Sequence, residues 1–309
     1  MSEVDVSIVI LTKNAGPELR MLLEAVYAQQ ASLPAEVIAI DSGSTDGSVA
    51  TLTEFPVTLK QISPESFHHA RTRNWAAELA KGEIVVFLSQ DAIPASKTWL
   101  QSLIFNFDDP RVGAVYGRHI PKAQSSIERR DALHSVYGSE KVVKDPALPN
   151  RMGYRFYHFS DANAAIRRAV WQATRFPEEF TVFEDLGIAK RILDRGWKMV
   201  YEPQAAVFHS HHHTTVGLFK RYFDIGWTLR RLNVWHAPGT RSSLFREGSK
   251  LISRKLRSFG KEGGQAQVSA LGQVLAKSLG LFLGVHEAYL PLVVKRHLSA
   301  YDVFRGSRV

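Results

Sequence analysis

The chain has 309 residues, 45% of them hydrophobic, enough for one large core or a core with an appendage, and this excludes a disordered protein. Cysteine is absent, which excludes disulfide frameworks and thiolate metal sites, so any metal must be held by oxygen or imidazole. The formal charge of +9 is unevenly spread: residues 1–216 carry 23 Lys+Arg against 25 Asp+Glu, while residues 217–309 carry 16 against 5.

In chain order, Met1-Ser2-Glu3-Val4-Asp5 sets acidic residues where a secretory leader would be positive, so export is not expected and the cytoplasm is. Val6–Leu11, Val37–Ile40, Val57–Ile62, Ile84–Leu88 and Val112–Tyr116 then read as strands, separated by helical patterns such as Glu18–Gln30 and Ala70–Ala80. This alternation predicts βαβ units and an α/β fold with a mostly parallel central sheet. Gly16-Pro17 and Asp46-Gly47 punctuate helix starts, and Ser44-Thr45-Asp46 offers capping oxygens. From about Pro121 to Arg155 the apolar periodicity fades, which predicts a long loop serving as a lid or acceptor-side insertion. Phe183-Glu184-Asp185 opens a helical run, Leu186–Leu193, and Ala205–Phe208 reads as a further strand.

Beyond residue 216 the pattern is helical. In Ser243–Gly260 the residues Phe245, Leu251, Ile252, Leu256 and Phe259 recur at helical spacing among Arg246, Lys250, Arg254, Lys255 and Arg257. Such a basic amphipathic helix either lies in an anionic membrane interface or packs on the core and shows its charges to water. Ala270–Val294 is the nearest approach to a membrane span, but Lys277, His286 and Glu287 interrupt it, so no crossing is expected.

Four apolar runs stop at polar clusters: Val6–Leu11 at Thr12-Lys13-Asn14, Val37–Ile40 at Asp41, Ile84–Leu88 at Ser89-Gln90-Asp91, and Ala205–Phe208 at His209. Ligands of open α/β sheets sit outside the carboxyl ends of strands, so these clusters are where chemistry is expected. Asp41 can accept hydrogen bonds from a base or sugar, and Gly43 lets backbone approach a ligand, although an Asx turn has the same sequence. An arginine in Ala70-Arg71-Thr72-Arg73-Asn74 can bind a base carbonyl or phosphate, or serve a surface salt bridge. Asp91, delivered by a strand and followed by Pro94, suits Mg²⁺ or Mn²⁺ against a diphosphate, because hard cations prefer oxygen ligands and keep positions for phosphate. The acidic pair Glu184-Asp185 is equally explained by the dipole of the helix it opens. In His209-Ser210-His211-His212-His213 alternate imidazoles share a face, and one of them can join Asp91 around a metal; a zinc site of histidines alone is the competing reading.

Taken in order, Leu11–Asn14, Asp41–Ser48, Phe67–Asn74, Leu88–Pro94, Asp161–Arg168, Glu184–Arg191 and Val207–His211 resemble the inverting family 2 glycosyltransferases, in their bacterial rhamnosyltransferase-like branch. The resemblance spans nearly the whole chain. It implies a GT-A catalytic domain over residues 1–216, followed by a basic helical region, 217–309, as a membrane or partner contact. It further implies that Thr12, Asn14, Asp41, Ser42, Arg71, Asn74, Gln90 and Asp91 hold the donor nucleotide. Asp91, with His209 or His211, would hold Mg²⁺ or Mn²⁺, and Asp185, with Glu184 beside it, would be the catalytic base. Ser89-Gln90-Asp91 lacks the first carboxylate of the family's Asp-x-Asp motif, which implies weak metal affinity, and His68 stands where relatives more often carry Asn.

The implied reaction moves a sugar, with dTDP-L-rhamnose as favoured donor, onto a saccharide or lipid-linked oligosaccharide of the cell surface, at the inner face of the membrane. The rivals are a sugar-phosphate nucleotidyltransferase and a non-catalytic nucleotide-sugar-binding scaffold. Thr12-Lys13-Asn14-Ala15-Gly16 lacks the Gly-rich, Arg-containing loop of the first. The joint presence of Asp91, Asp185 and His209 argues against the second. Trp227, Arg230, Arg231 and Trp235 interleave, but no nucleic-acid module is recognisable and nucleic acid is not an expected partner.

Overall fold

A computed structural model describes residues 5–30, 35–123, 125, 127–150, 152–180, 182–210, 214–236, 264–301 and 303–304. They divide into two compact units: residues 1–148, 159–178 and 184–210 form the first, and 149–158, 179–183 and 211–309 the second.

The first unit is built on β1 (Val6–Thr12), α1 (Glu18–Tyr27), β2 (Ala35–Asp41), α2 (Ser48–Thr53), β3 (Val57–Gln61), α3 (His69–Leu79), β4 (Ile84–Ser89) and the short β5 (Ile93–Pro94). It continues through α4 (Trp99–Ile104), β6 (Val112–Ile120), α5 (Ile127–Val136), β7 (Val142–Lys144), β8 (Asn163–Arg167), α6 (Arg168–Thr174), α7 (Glu184–Asp194) and β9 (Lys198–Phe208). All nine strands share one sheet, ordered β3-β2-β1-β4-β8-β6-β9-β5, with β7 also on β9. β3, β2, β1 and β4 run parallel, as do β6 and β9. The α/β class and the largely parallel left half are those read from the alternating pattern.

β1, β2 and β4 are mostly apolar because helices cover both faces of a parallel sheet, and the Ser7 hydroxyl within β1 donates to Glu36 of β2 at 2.7 Å. Val6, Ile8, Ile10, Val86 and Leu88 pack there with Leu19, Leu22 and Leu23 of α1 and with Trp99 and Leu103 of α4. Each buried aliphatic side chain contributes about 1.5–3 kcal/mol relative to exposure. Parallel pairing of Thr12 with Asp41 and of Leu11 with Ser89 brings three strand ends to one edge.

Asn163–Arg167, for which the sequence pattern assigned no element, is a strand inserted antiparallel between β4 and β6. One expectation is corrected. The stretch 121–155 is more than a loop, since it contains α5 and β7. The polar surroundings of α5 and β7, with Pro121, Pro146 and Pro149, hid those two elements. The Ser243–Gly260 helix lies outside the described residues.

In the second unit, α8 (Thr215–Arg231) begins at Thr214, whose hydroxyl accepts from the Gly217 N–H at 3.0 Å. The helix Gly264–Val285 crosses α8 so closely that a Cβ at Gly284 would strike the Phe223 carbonyl. Phe180, Phe223, Trp227 and Phe304 form this unit's aromatic core. No described helix is long and apolar enough to cross a membrane.

Candidate active site

The ends of β1 and β2 fold into a hydrogen-bonded loop. Asp41 Oδ1 accepts the N–H groups of Gly43 and Ser44 at 3.0 and 2.9 Å, and Oδ2 accepts the hydroxyls of Thr12 and Ser44 at 3.1 and 2.5 Å. The Ser42 hydroxyl donates to the Thr12 carbonyl at 3.1 Å. Thr12, Asp41 and Ser42 are therefore buried, with polar groups used inside the chain. They frame the loop, with both Asp41 oxygens already accepting hydrogen bonds from within the chain. Gly43, at φ +81, occupies a left-handed turn that favours glycine, as an Asx turn requires.

Asn14, at φ 46, adopts the same uncommon region, and its side-chain oxygen accepts the Thr45 N–H at 2.8 Å. The Gln90 amide clasps Lys13 from both sides, accepting its N–H at 2.7 Å and donating to its carbonyl at 3.1 Å. Gln90 thus ties the end of β1 to the residue before Asp91.

α3 begins at His68, whose Nδ1 accepts the Arg71 N–H at 3.4 Å. This is the capping task that asparagine performs at a helix N-terminus, so His68 substitutes for it in kind. Arg71 is exposed. Asn74 is not brought to the sheet edge: its amide donates to the Phe176 carbonyl and Glu178 and accepts from Trp171 and the Phe176 N–H, at 2.9–3.2 Å. Its place is a buried joint between α3 and the segment after α6.

Asp91 and His209 do meet. The imidazole Nε2 and the carboxylate Oδ1 are 3.3 Å apart, at the ends of β4 and β9. His209 Nδ1 is in turn 3.1 Å from Nδ1 of His119, whose ring stacks on Tyr137 at 4.5 Å and 7°. His119 reaches this position because the β6–β9 register jumps between Gly117/Glu202 and His119/Val207. Such irregularities re-aim side chains next to functional sites. His211 lies outside the described residues.

Behind this pair lies a buried charge cluster. Arg73 donates to Glu184 Oε1 at 2.5 Å, and its Nε lies 3.0 Å from Asp161 Oδ2. Burial pushes the Glu184 carboxyl up, Arg73 opposes this, and the charges of Asp161 and Asp185 raise it further. Asp161 is raised for the same leading reason, countered by Arg73 and, more weakly, by His209. Phe183, at φ 59, immediately precedes α7, whose first residue is Glu184. Asp185, half-buried, accepts the N–H of Leu186 at 2.7 Å through one oxygen. The acids are thereby separated: Glu184 is held in the interior, and Asp185 keeps a surface.

Arg73, Asp161 and His119 were not among the residues singled out from the sequence. The first two stood inside quoted motifs, and the signal for Arg73 was its two-residue offset from Arg71. His119 carried no motif.

The residues fit a divalent ion shared with a ligand. One carboxylate oxygen and one imidazole nitrogen suit Mg²⁺ or Mn²⁺, and two donors on an ion at about 2.1 Å each lie about 3 Å apart. Among the described residues no group of three or more His, Asp or Glu side chains is arranged to hold a metal. Phosphate oxygens and water would complete the sphere, as in sites where the substrate brings its own ligands.

Comparison with known proteins places this geometry in context. The family model described as Glycosyl transferase family 2 matches residues 7–174. The chain is 32% identical to the O-antigen chain rhamnosyltransferase RfbN of Salmonella typhimurium, over 97% of this chain and 95% of that one. It is also 32% identical to the O-antigen chain rhamnosyltransferase WbaN of Salmonella anatum, over 96% and 95%. Among solved structures, the mannosyltransferase PcManGT from Pyrobaculum calidifontis, in complex with GDP-Man and Mn²⁺, matches with TM-score 0.60 and 18% identity over 90% of this chain and 86% of that one. S. aureus TarS 1–349 with UDP-GlcNAc matches with TM-score 0.54 and 17% identity over 97% and 89%.

Proposed function

This chain belongs to glycosyl transferase family 2, and on that premise we propose that it moves L-rhamnose from dTDP-L-rhamnose to a hydroxyl of a surface polysaccharide or lipid-linked oligosaccharide, with inversion at the anomeric carbon. Its α/β unit has the GT-A fold. The observation that carries the reading is the 3.3 Å approach of Asp91 to His209, residues from distant parts of the chain that meet at one edge of the sheet.

Asn14, Arg71 and Gln90 line the nucleotide end, with the Asp41 loop as their frame. Asp91 and His209 hold a divalent ion, which when bound offsets the charge that develops on the departing diphosphate. Asp185 takes the proton of the acceptor hydroxyl as that oxygen attacks the anomeric carbon and the nucleoside diphosphate leaves from the opposite side. Glu184, clamped by Arg73, fixes the helix turn that presents Asp185. Residues 1–216 carry this chemistry.

Residues 217–309 provide contact with an anionic membrane surface. Leu275, Leu279 and Phe282 stand 53–58% exposed on one face of the helix Gly264–Val285, in a region with 16 basic against 5 acidic residues. An exposed apolar stripe within a basic region is the pattern of an interfacial contact.

The test is a transfer assay with dTDP-, UDP- and GDP-sugars, with and without Mn²⁺, and NMR assignment of the product anomer. Turnover of dTDP-L-rhamnose above the other donors, giving the inverted anomer, is the expected result. A retained anomer, or indifference to dTDP-L-rhamnose, would overturn the reading.

A further inference from the structure

His209 Nδ1 and His119 Nδ1 face one another at 3.1 Å with their rings nearly perpendicular, at 84°. Two imidazole nitrogens share a hydrogen bond only if one carries the proton and the other offers its lone pair, so the pair has two arrangements. In the first, His119 donates, and the His209 proton sits on Nε2, directed at Asp91. In the second, His209 donates from Nδ1, and its Nε2 presents a lone pair toward Asp91 Oδ1. A lone pair facing a carboxylate at that distance is repulsive unless a cation lies between them.

From this geometry we infer that His119 is a positioning residue: it accepts the Nδ1 proton of His209 and thereby holds the Nε2 lone pair toward Asp91 for a divalent cation. The inference rests on the reading that Asp91 and His209 bind the ion. Metal-bound histidines usually give their second N–H to a carboxylate, carbonyl or water, and here a second imidazole fills that place. His119 is suited to it for two reasons. Its ring lies flat against Tyr137, which fixes the plane in which Nδ1 lies, and both histidines are buried, so water does not compete readily for the bond. The register jump between β6 and β9 accounts for how a residue on β6 comes to face one beyond the end of β9.

The experiment measures Mn²⁺ affinity of the full chain from the EPR signal of unbound Mn²⁺, in wild type, His119→Phe, His119→Asn and His209→Ala. His119→Phe keeps a ring against Tyr137 but removes the acceptor, and about 10- to 100-fold weaker Mn²⁺ binding is expected. His119→Asn places a carbonyl oxygen near the position of Nδ1, and its affinity should return to within a few-fold of wild type. Long-range ¹H–¹⁵N spectra of the labelled wild type should show the His209 proton moving from Nε2 to Nδ1 on addition of Mg²⁺. Wild-type affinity in His119→Phe, or no recovery in His119→Asn, would overturn the role of His119 while leaving the metal site standing if His209→Ala binds poorly. Unchanged affinity in His209→Ala would instead overturn the metal site and the inference with it.

Discussion

Arg73 donates to Glu184 Oε1 at 2.5 Å, and this one contact holds the first of two adjacent acids in the interior. The Glu184 carboxylate is drawn into the interior of the first unit, where it also feels Asp161, while Asp185 keeps a surface. Asp185→Asn is expected to lower transfer about 10²- to 10⁴-fold, the usual contribution of a positioned general base. Donor affinity should stay within about twofold, because the amide has the same volume as the acid and only the proton-accepting group is removed. Isothermal titration with donor, set beside initial rates, checks both, and unimpaired turnover would remove Asp185 from the role.

Glu184 gives a second prediction, through pH. Burial raises its carboxyl to about 8, against 4.5 for the ordinary group. A carboxyl raised in the folded state binds its proton more tightly there than in the unfolded chain. Its contribution to stability is therefore complete below about pH 4.5 and lost as pH rises toward 8. The slope is at most about 1.4 kcal/mol per pH unit for one proton. Glu184→Gln copies the protonated acid and should flatten the dependence of the urea midpoint between pH 5 and 8. A mutant profile parallel to wild type would show that the proton is held elsewhere.

The part of this site legible in the sequence is the part made by strands alone. β1, β2 and β4 end in polar residues because parallel strands buried on both faces must be apolar until they leave the sheet. Their ends meet because the register is parallel, so Asp41, Gln90 and Asp91 could be named as neighbours without coordinates. What remained hidden depends on antiparallel insertion and on long-range pairing. Asn163-Ala164-Ala165-Ile166-Arg167 is too short for periodicity to separate strand from helix, yet it occupies the centre of the sheet. Asn74 and Arg73 sit side by side on α3, and only the packing of α6 and α7 decides that one braces the interior and the other clamps an acid.

Gln90 offers a third prediction. Its amide spans Lys13 with two hydrogen bonds at a partly exposed site, each with a net value of about 0.5–1.5 kcal/mol. Gln90→Ala should leave the fold intact and let the β1 loop drift from Asp91. Donor KM is expected to rise about fivefold with kcat little changed. Steady-state kinetics over a donor series decides it; an effect on kcat alone would place Gln90 at the reacting centre instead.

Gly117 on β6 supplies the fourth. A Cβ there would collide with the Ala205 carbonyl and with the Asn163 side-chain nitrogen. Those two atoms hydrogen-bond to each other at 2.8 Å, and the Asn163 oxygen accepts the Trp99 indole N–H at 2.9 Å. Gly117 lies on the near side of the register jump that turns His119 toward His209. Gly117→Ala must push β9 outward, because neither backbone nor the doubly bonded Asn163 can yield cheaply, and overpacking of this kind costs about 1–3 kcal/mol. The urea midpoint should fall with little change in slope. Mn²⁺ binding should weaken in parallel, since the displacement travels along β9 into His209, and Gly113→Ala, a crowded position at the other end of β6 that meets Trp197 and Val170, should lose stability without that second effect. Equal loss of Mn²⁺ affinity in both variants would mean that the register jump does not set the histidine geometry.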